Sequence, residues 1–139
     1  PTACAAGIAV LQTMLEQNLP EQVKEKGSGL RQALQQQFAE HPNVGDVRGR
    51  GLFLGIELVQ DKQTKEPLNP NFNLPEQIRH TAMQHGLLCY PMGGTIDGRR
   101  GHHVLLAPPF IINDAELELI VERLSSTLNA ILPALDQAA

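Results

Sequence analysis

The sequence is poor in aromatic residues, and this limits what its core can be made of. It contains no Trp, one Tyr and four Phe among 139 residues. Because Leu, Ile and Val are the other large side chains that proteins bury, we expect an aliphatic core. A chain of this length corresponds to about one domain with a single core.

Cysteine is also scarce, and long apolar runs are absent. Cys4 and Cys89 stand far apart without the spacing of a disulfide framework, so we expect two reduced, buried thiols in a cytoplasmic protein. No apolar run approaches the roughly 20 residues of a membrane span, and we expect no membrane partner. Because the chain begins at Pro1 with no initiator Met or signal sequence, we expect it to be a piece of a longer protein.

Positive charge is neither abundant nor clustered. Eleven Lys and Arg against 15 Asp and Glu give a net charge of −4, which excludes nucleic acid as an expected partner. The sequence has no His-Glu-x-x-His, Cys-x-x-Cys, Gly-x-Ser-x-Gly or Walker motif. His102 and His103 are adjacent and would point to opposite faces of a strand, which disfavours a shared metal. We therefore expect no complete catalytic constellation and no metal site.

Periodic apolar residues predict the elements and their order. We expect helices over residues 1–17, 23–38, 74–85 and 114–131, the last with a capping-box-like start at Asn113 and Glu116. Gly27 and Gly29 lower the helix propensity of the second helix, which suggests close backbone approaches there. The stripe of Cys4, Ile8, Leu11 and Leu15 on the first helix needs a partner.

Alternating residues predict strands over residues 44–50 and 52–59, joined at Gly49-Arg50-Gly51. Leu52, Leu54, Ile56 and Leu58 would then face the core. Two short strands, 87–90 and 103–107, would flank a glycine-rich loop. The order ααββαββα predicts an α+β fold (an α/β layer), with N-terminal linking helices and a small mixed or antiparallel sheet of about four strands backed by helices.

Arginine and glutamate supply the candidate functional residues. Arg48-Gly49-Arg50-Gly51 is either a phosphate cradle or, as we favour, a tight inter-strand turn. Glu57 would be buried without compensation unless Arg48 or Arg50 pairs with it. Arg99 and Arg100 on the glycine-rich loop are either carboxylate-binding groups or simply solvated.

Three segments, residues 1–11, 44–57 and 107–113, together resemble the C-terminal region of a class III aminotransferase, a pyridoxal-phosphate enzyme of fold type I. The resemblance implies that residues 1–19 are a connector helix from an absent large domain and that residues 20–139 are the small domain. It also implies structural roles in the strand pair and last strand for Arg48, Gly49, Gly51, Glu57, Pro108 and Pro109.

The reaction implied by the resemblance moves an amino group from an amine or amino acid to a keto acid or aldehyde. Its Schiff-base lysine belongs to the large domain, and no lysine of this chain matches the motif, so we assign no catalytic or cofactor-binding residue here. Pyridoxal 5′-phosphate is expected in the full-length enzyme and not in this chain alone. The implied partners are the chain's own large domain and a second subunit in a homodimer.

Two departures from the family bear on substrate. Members that act on alpha-amino acids carry an arginine two residues before Ala107-Pro-Pro, where this chain has Leu105. Amine transaminases can instead carry a mobile arginine where this chain has Tyr90. We hypothesise that Tyr90, Thr95 and Leu105 shape the substrate pocket, with Arg99 or Arg100 meeting an acid group.

Two other functions remain open from the sequence. The chain could be a stand-alone binding or dimerisation module that retains the fold without the chemistry. It could also be a small phosphate-binding enzyme that uses Arg48 and Arg50, although no nucleophile or base accompanies them.

Overall fold

The structure, a computed structural model, describes residues 1–136. Its elements in chain order are α1 (Thr2–Glu16), α2 (Leu19–Gln37), β1 (Val44–Arg50), β2 (Phe53–Leu58), a 3-10 turn (Pro70–Phe72), α3 (Leu74–Gln84), β3 (Tyr90–Gly93), β4 (His102–Leu106) and α4 (Asp114–Asp136). The predicted order of four helices and four strands is confirmed.

The sheet has four strands in the order β1-β2-β4-β3, and each neighbouring pair is antiparallel. Arg50 pairs with Phe53, so Gly51 and Leu52 form a two-residue hairpin turn. Gly51 adopts a φ of +55°, a backbone conformation that costs glycine nothing and strains other residues. The tight turn predicted at this motif is present.

One face of the sheet is covered by α2, α3 and α4, and the core lies between them. The alternating residues predicted to face inward are buried, with at most 2% of each side chain exposed: Leu52, Leu54, Ile56 and Leu58. Phe38 is the one aromatic residue in the core cluster of the described chain, and the other large members are aliphatic. Burying each Leu or Ile contributes about 1.5–3 kcal/mol, so this layer accounts for much of the stability.

The third strand lies later in the chain than the apolar run indicated. We expected a strand over residues 87–90 and a loop after it, and this was wrong, because β3 covers Tyr90–Gly93. Leu87 is instead buried in the core before the strand begins, while Leu88 is 83% exposed. Pro91 is tolerated because β3 is an edge strand, where a missing N–H leaves no central hydrogen bond unmade.

Helix α1 contributes no buried residue. Its predicted apolar stripe is exposed, with Ile8 at 57% and Leu15 at 78%. The expectation that Cys4 is a core residue was wrong, because Cys4 is exposed on the surface of α1. An apolar cavity of about 450 Å³ lies where α1 meets Pro109, Phe110 and Ile111.

The two glycines of α2 differ in their surroundings. A Cβ on Gly27 would lie 2.2 Å from the carbonyl carbon of Gly51, whereas a Cβ on Gly29 would meet nothing within 4 Å. The predicted close approach is therefore confirmed at Gly27 and wrong at Gly29. No helix within residues 1–136 combines the length and apolar character needed to cross a membrane.

Candidate functional site

The outer face of the sheet, which the helices leave uncovered, carries most of the candidate residues. Side chains alternate between faces along a strand, and the register joins those that face outward into rows across the sheet. One row consists of Arg48, Gly55, Leu105 and Tyr90, and the next of Asp46, Glu57, His103 and Met92. The sheet thus brings Tyr90 and Leu105 directly opposite each other.

Arg48 is held by two carboxylates. Its Nη1 donates to Asp46 Oδ2 at 2.9 Å and to Glu57 Oε2 at 3.0 Å, so the ion pair expected for Glu57 is present. The hydrogen bond to Asp46, followed by that to Glu57, raises the pKa of the Arg48 guanidinium above its usual value. Because Arg48 is already neutralised on the outer face, it is poorly placed to serve as half of a phosphate cradle.

His103 and His102 point to opposite faces of β4, as adjacent strand residues must. His103 sits opposite Glu57, and its pKa is lowered by burial and by the charge of Arg48, against the opposing effect of Glu57. His102 is 4% exposed on the inner face, and its Nδ1 has no hydrogen-bond partner within the described structure. Within residues 1–136, no three His, Cys, Asp or Glu side chains converge as metal ligands.

The rows enclose a shallow cavity of about 260 Å³ above β2 and β4. Arg48, Glu57 and His103 form its polar end, and Leu105 and Phe53 contribute apolar surface. A Cβ on Gly55 would lie 3.5 Å from Leu105 Cδ2, so the absence of a side chain at Gly55 leaves space in the cavity beside Leu105. Thr95 and Leu105, two of the residues hypothesised to shape a pocket, both line this cavity.

The loop between β3 and β4 is organised by Asp97. Its Oδ1 accepts the backbone N–H groups of Arg99 at 3.0 Å and Arg100 at 2.7 Å, while its Oδ2 accepts Arg100 Nε at 2.8 Å. These hydrogen bonds, the backbone N–H of Arg100 first, hold the pKa of Asp97 below its usual range. Sequence analysis missed Asp97, although an Asp-Gly pair followed by polar residues is a signal for such a turn.

The two arginines of the β3–β4 loop differ in their side-chain contacts. Arg100 is tied to Asp97, whereas the Arg99 side chain makes no ion pair or hydrogen bond within residues 1–136. Neither arginine lines the 260 Å³ cavity, which Thr95 reaches from the near side of the loop. The structure therefore leaves Arg99 as the guanidinium of this loop that is available to a ligand.

Each of the four lysines makes an ion pair or a hydrogen bond, and none of them lines the 260 Å³ cavity on the outer face of the sheet. Lys24 pairs with Glu21, Lys26 donates to the Ile112 carbonyl at 2.6 Å, Lys62 to Phe38 and Ala39, and Lys65 to Gly45. A pyridoxal-phosphate site needs a lysine amine beside the cofactor. The residues present do not fit the cofactor without a lysine from elsewhere.

Pro108 and Pro109 follow β4 and lead the chain to α4. The Pro109 carbonyl accepts the N–H of Ile112 at 3.0 Å, and Pro109 also lines the apolar cavity beside α1. Asn113 and Glu116 then form the predicted capping box, each side chain accepting the other's backbone N–H at 2.9 Å.

Comparison with known proteins decides the family. The model of the family "Aminotransferase class-III" matches residues 1–128. The chain belongs to the class-III aminotransferases. Pyridoxal phosphate is the cofactor of this family, and the α+β fold described above is that of its small domain.

The relatives of this class-III aminotransferase chain are much longer than it is. An uncharacterized aminotransferase of Schizosaccharomyces pombe is 44% identical over 97% of this chain and 29% of its own length. An (S)-enantioselective omega-transaminase from Thermomicrobium roseum has a TM-score of 0.83 at 32% identity, covering 95% of this chain and 28% of that one. A PLP-bound amine transaminase from an uncultivated Pseudomonas species has a TM-score of 0.80 at 33% identity, covering 94% and 28%. The chain spans less than a third of each relative.

Proposed function

We propose that this chain is the C-terminal small domain of a pyridoxal-phosphate-dependent transaminase that moves an amino group from an amine or omega-amino acid to a keto acid or aldehyde. Family membership supports the transaminase reaction. The omega-transaminase and amine transaminase among the structural relatives support the substrate class.

The observation that carries the substrate class is the position of Leu105. By resemblance, family members that act on alpha-amino acids have an arginine there to bind the alpha-carboxylate. In this chain Leu105 lies between Gly55 and Tyr90 in the outer-face row, where an apolar surface would favour an uncharged substituent. The cation in the same row, Arg48, is occupied by Asp46 and Glu57.

The acid group of a keto acid still requires a cation, and Arg99 is our candidate. Its guanidinium makes no ion pair or hydrogen bond within the described residues, while Arg100 is held by Asp97. A guanidinium binds a carboxylate through two parallel hydrogen bonds, and a loop position lets it approach a bound molecule. Tyr90 and Thr95, next to Leu105 and on the near side of the loop, would then shape the pocket.

The proposed division of the protein places residues 1–19 as a connector and residues 20–139 as the small domain. The exposed stripe of α1 and the neighbouring Phe110 and Ile111 support it, because monomers rarely leave so much contiguous apolar surface uncovered. We expect the chain's own large domain to cover this surface and the complete enzyme to be a homodimer. The alternative, a stand-alone dimerisation module, predicts that the chain alone forms a stoichiometric dimer through α1.

The test compares the complete enzyme with the 139-residue chain. We expect the chain alone to give no saturable absorbance change with pyridoxal phosphate and no transamination. The complete enzyme should prefer amines and omega-amino acids over alpha-amino acids as donors. A specific, stoichiometric cofactor band in the chain alone would contradict the proposed inactivity, and a preference for alpha-amino acids would contradict the donor class.

Arg99→Ala and Arg100→Ala in the complete enzyme test the acid-binding role. We expect Arg99→Ala to raise KM for a keto acid by about tenfold or more, the loss of one charge-assisted contact, with an aldehyde acceptor unaffected. Arg79→Ala, which removes an exposed arginine of α3, is the control. An unchanged KM for the keto acid in the Arg99→Ala variant would overturn this assignment, and an unchanged KM in both variants would exclude the loop as the acid-binding site.

A further inference from the structure

Two of the chain's arginines converge on one small cavity with no carboxylate beside them. Arg48, Arg79, Arg100 and Arg123 each have a carboxylate or carbonyl partner. Arg31 and Arg50 make no ion pair or hydrogen bond within residues 1–136, and both line a cavity of about 200 Å³ between α2 and the β1–β2 hairpin. Arg99, on its loop, is the third arginine whose side chain has no partner in the described part of the chain.

The helical period explains why the positive charge collects there. Lys24, Gly27, Ser28 and Arg31 follow the spacing i, i+3, i+4, i+7, so they share one face of α2. That face lies against Gly49, Arg50 and Gly51 of the hairpin.

The contact between Gly27 and Gly51 sets the distance between helix and hairpin. With a virtual Cβ of Gly27 only 2.2 Å from the Gly51 carbonyl carbon, the two backbones touch. Arg31 is one helical turn beyond Gly27 on the same face of α2, and it lines the same cavity as Arg50 at the end of β1.

Two further polar side chains, Lys24 and Ser28, line the cavity. Lys24 pairs with Glu21 at 2.7 Å. The Ser28 hydroxyl makes no hydrogen bond within the described residues, and it lines the same space. Two like charges facing one cavity repel each other, and an anion between them would convert this cost into attraction.

The geometry points to an anion site at this place: we propose that Arg31, Arg50 and Ser28 bind the phosphate group of a small phosphate monoester. The phosphate cradle considered from the sequence used Arg48 and Arg50. The site proposed here keeps Arg50 and has Arg31 in place of Arg48 as the second phosphate-binding arginine. Arg48 and Arg50 line different cavities, of about 260 Å³ and 200 Å³ respectively. A planar guanidinium suits a phosphate, which accepts two parallel hydrogen bonds from it.

The size and charge of the site favour a free phosphate group over larger partners. A 200 Å³ pocket between a helix and a hairpin turn has no room for a second helix. A net charge of −4 on the whole chain disfavours an extended polyanion, while leaving a local pair of arginines effective at short range.

The test is titration of the full chain with inorganic phosphate and with glycerol phosphate at constant ionic strength, followed by the amide resonances of the hairpin glycines and by calorimetry. We expect saturable binding in the millimolar range, with chloride giving no saturable change. Arg31→Gln and Arg50→Gln should each weaken binding by about tenfold, and Arg50→Lys should recover only part of the loss. The control is Arg79→Gln, on α3, with unchanged binding.

Three outcomes would overturn the proposal. They are the absence of saturable binding, binding in both the Arg31→Gln and Arg50→Gln variants that is as tight as in the unmodified chain, and binding to vesicles that contain phosphatidic acid without binding to the soluble phosphates. Gln at either position leaves the core untouched, since both side chains are exposed, and far-ultraviolet circular dichroism checks that the fold is retained.

Discussion

Gly27 of α2 lies directly against the backbone of Gly51 in the hairpin turn, where a Cβ on Gly27 would be 2.2 Å from the Gly51 carbonyl carbon. This contact fixes the position of α2 on the end of the sheet. It also leaves Leu30 and Leu34, further along the same helix, buried at 2% and 0% exposure. The position of α2 on the sheet thus depends on Gly27, where no side chain fits.

We predict that Gly27→Ala destabilises the chain although alanine favours helices. The added methyl group would overlap the Gly51 backbone, and overpacking of this kind costs about 1–3 kcal/mol. Gly29→Ala is the matched control: it lies in the same helix with open space around it, so it should stabilise by up to about 1 kcal/mol. Urea unfolding measures both, and equal effects at the two positions would contradict the contact.

The capping box at the start of α4 gives a second prediction. Asn113→Ala should lower the free energy of unfolding by about 1 kcal/mol, because the N–H of Glu116 loses its side-chain acceptor. Glu116→Ala removes the reciprocal bond to the N–H of Asn113. A double-mutant cycle should show coupling between them, with Glu118→Ala in the next turn as the control. Strict additivity of the two losses would argue against a reciprocal box.

The two thiols should react at very different rates. Cys4 is exposed on α1, whereas burial raises the pKa of Cys89 to about 11. At pH 8 only about one Cys89 in a thousand would then be a thiolate, the reactive form. Titration with an aromatic disulfide reagent should show one fast and one slow thiol, and Cys4→Ser should remove the fast phase. Two equally fast thiols would show that the Cys89 environment opens readily.

Several features of the fold could be predicted from the sequence because they depend on local periodicity. The inward leucines of β2 and the hairpin at Gly51 follow from alternation and turn chemistry alone. The start of α4 follows from the spacing of Asn113 and Glu116.

The features that could not be predicted depend on partners distant in sequence. The apolar run 87–90 suggested a strand, but strand formation requires a partner, and β4 pairs with Tyr90–Gly93, so that Tyr90 alone lies in both. Arg99 and Arg100 were indistinguishable in sequence because the hydrogen bonds of Asp97 decide between them. The less favoured phosphate alternative from the sequence also grouped Arg48 with Arg50, whereas the packing of α2 against the hairpin places Arg50 and Arg31 on one cavity.

The buried His102 gives the last prediction, a loss of stability in acid. Burial, and secondarily the charge of His103, lowers the pKa of His102 in the folded chain, while the unfolded chain takes up a proton near pH 6.5. Below that pH the unfolded state binds more protons than the folded state, so stability is full above it and falls as pH decreases. The pKa values of His41 and His103 are lowered as well, so both residues add to the loss of stability in acid.

We expect the His102→Leu substitution, which leaves no hydrogen-bond partner unsatisfied, to reduce the loss of stability between pH 7 and pH 5 without abolishing it. Urea unfolding at each pH measures this, with the exposed His80→Leu as control. Identical pH profiles for the His102→Leu variant and the unmodified chain would mean that the folded structure admits the charged imidazole.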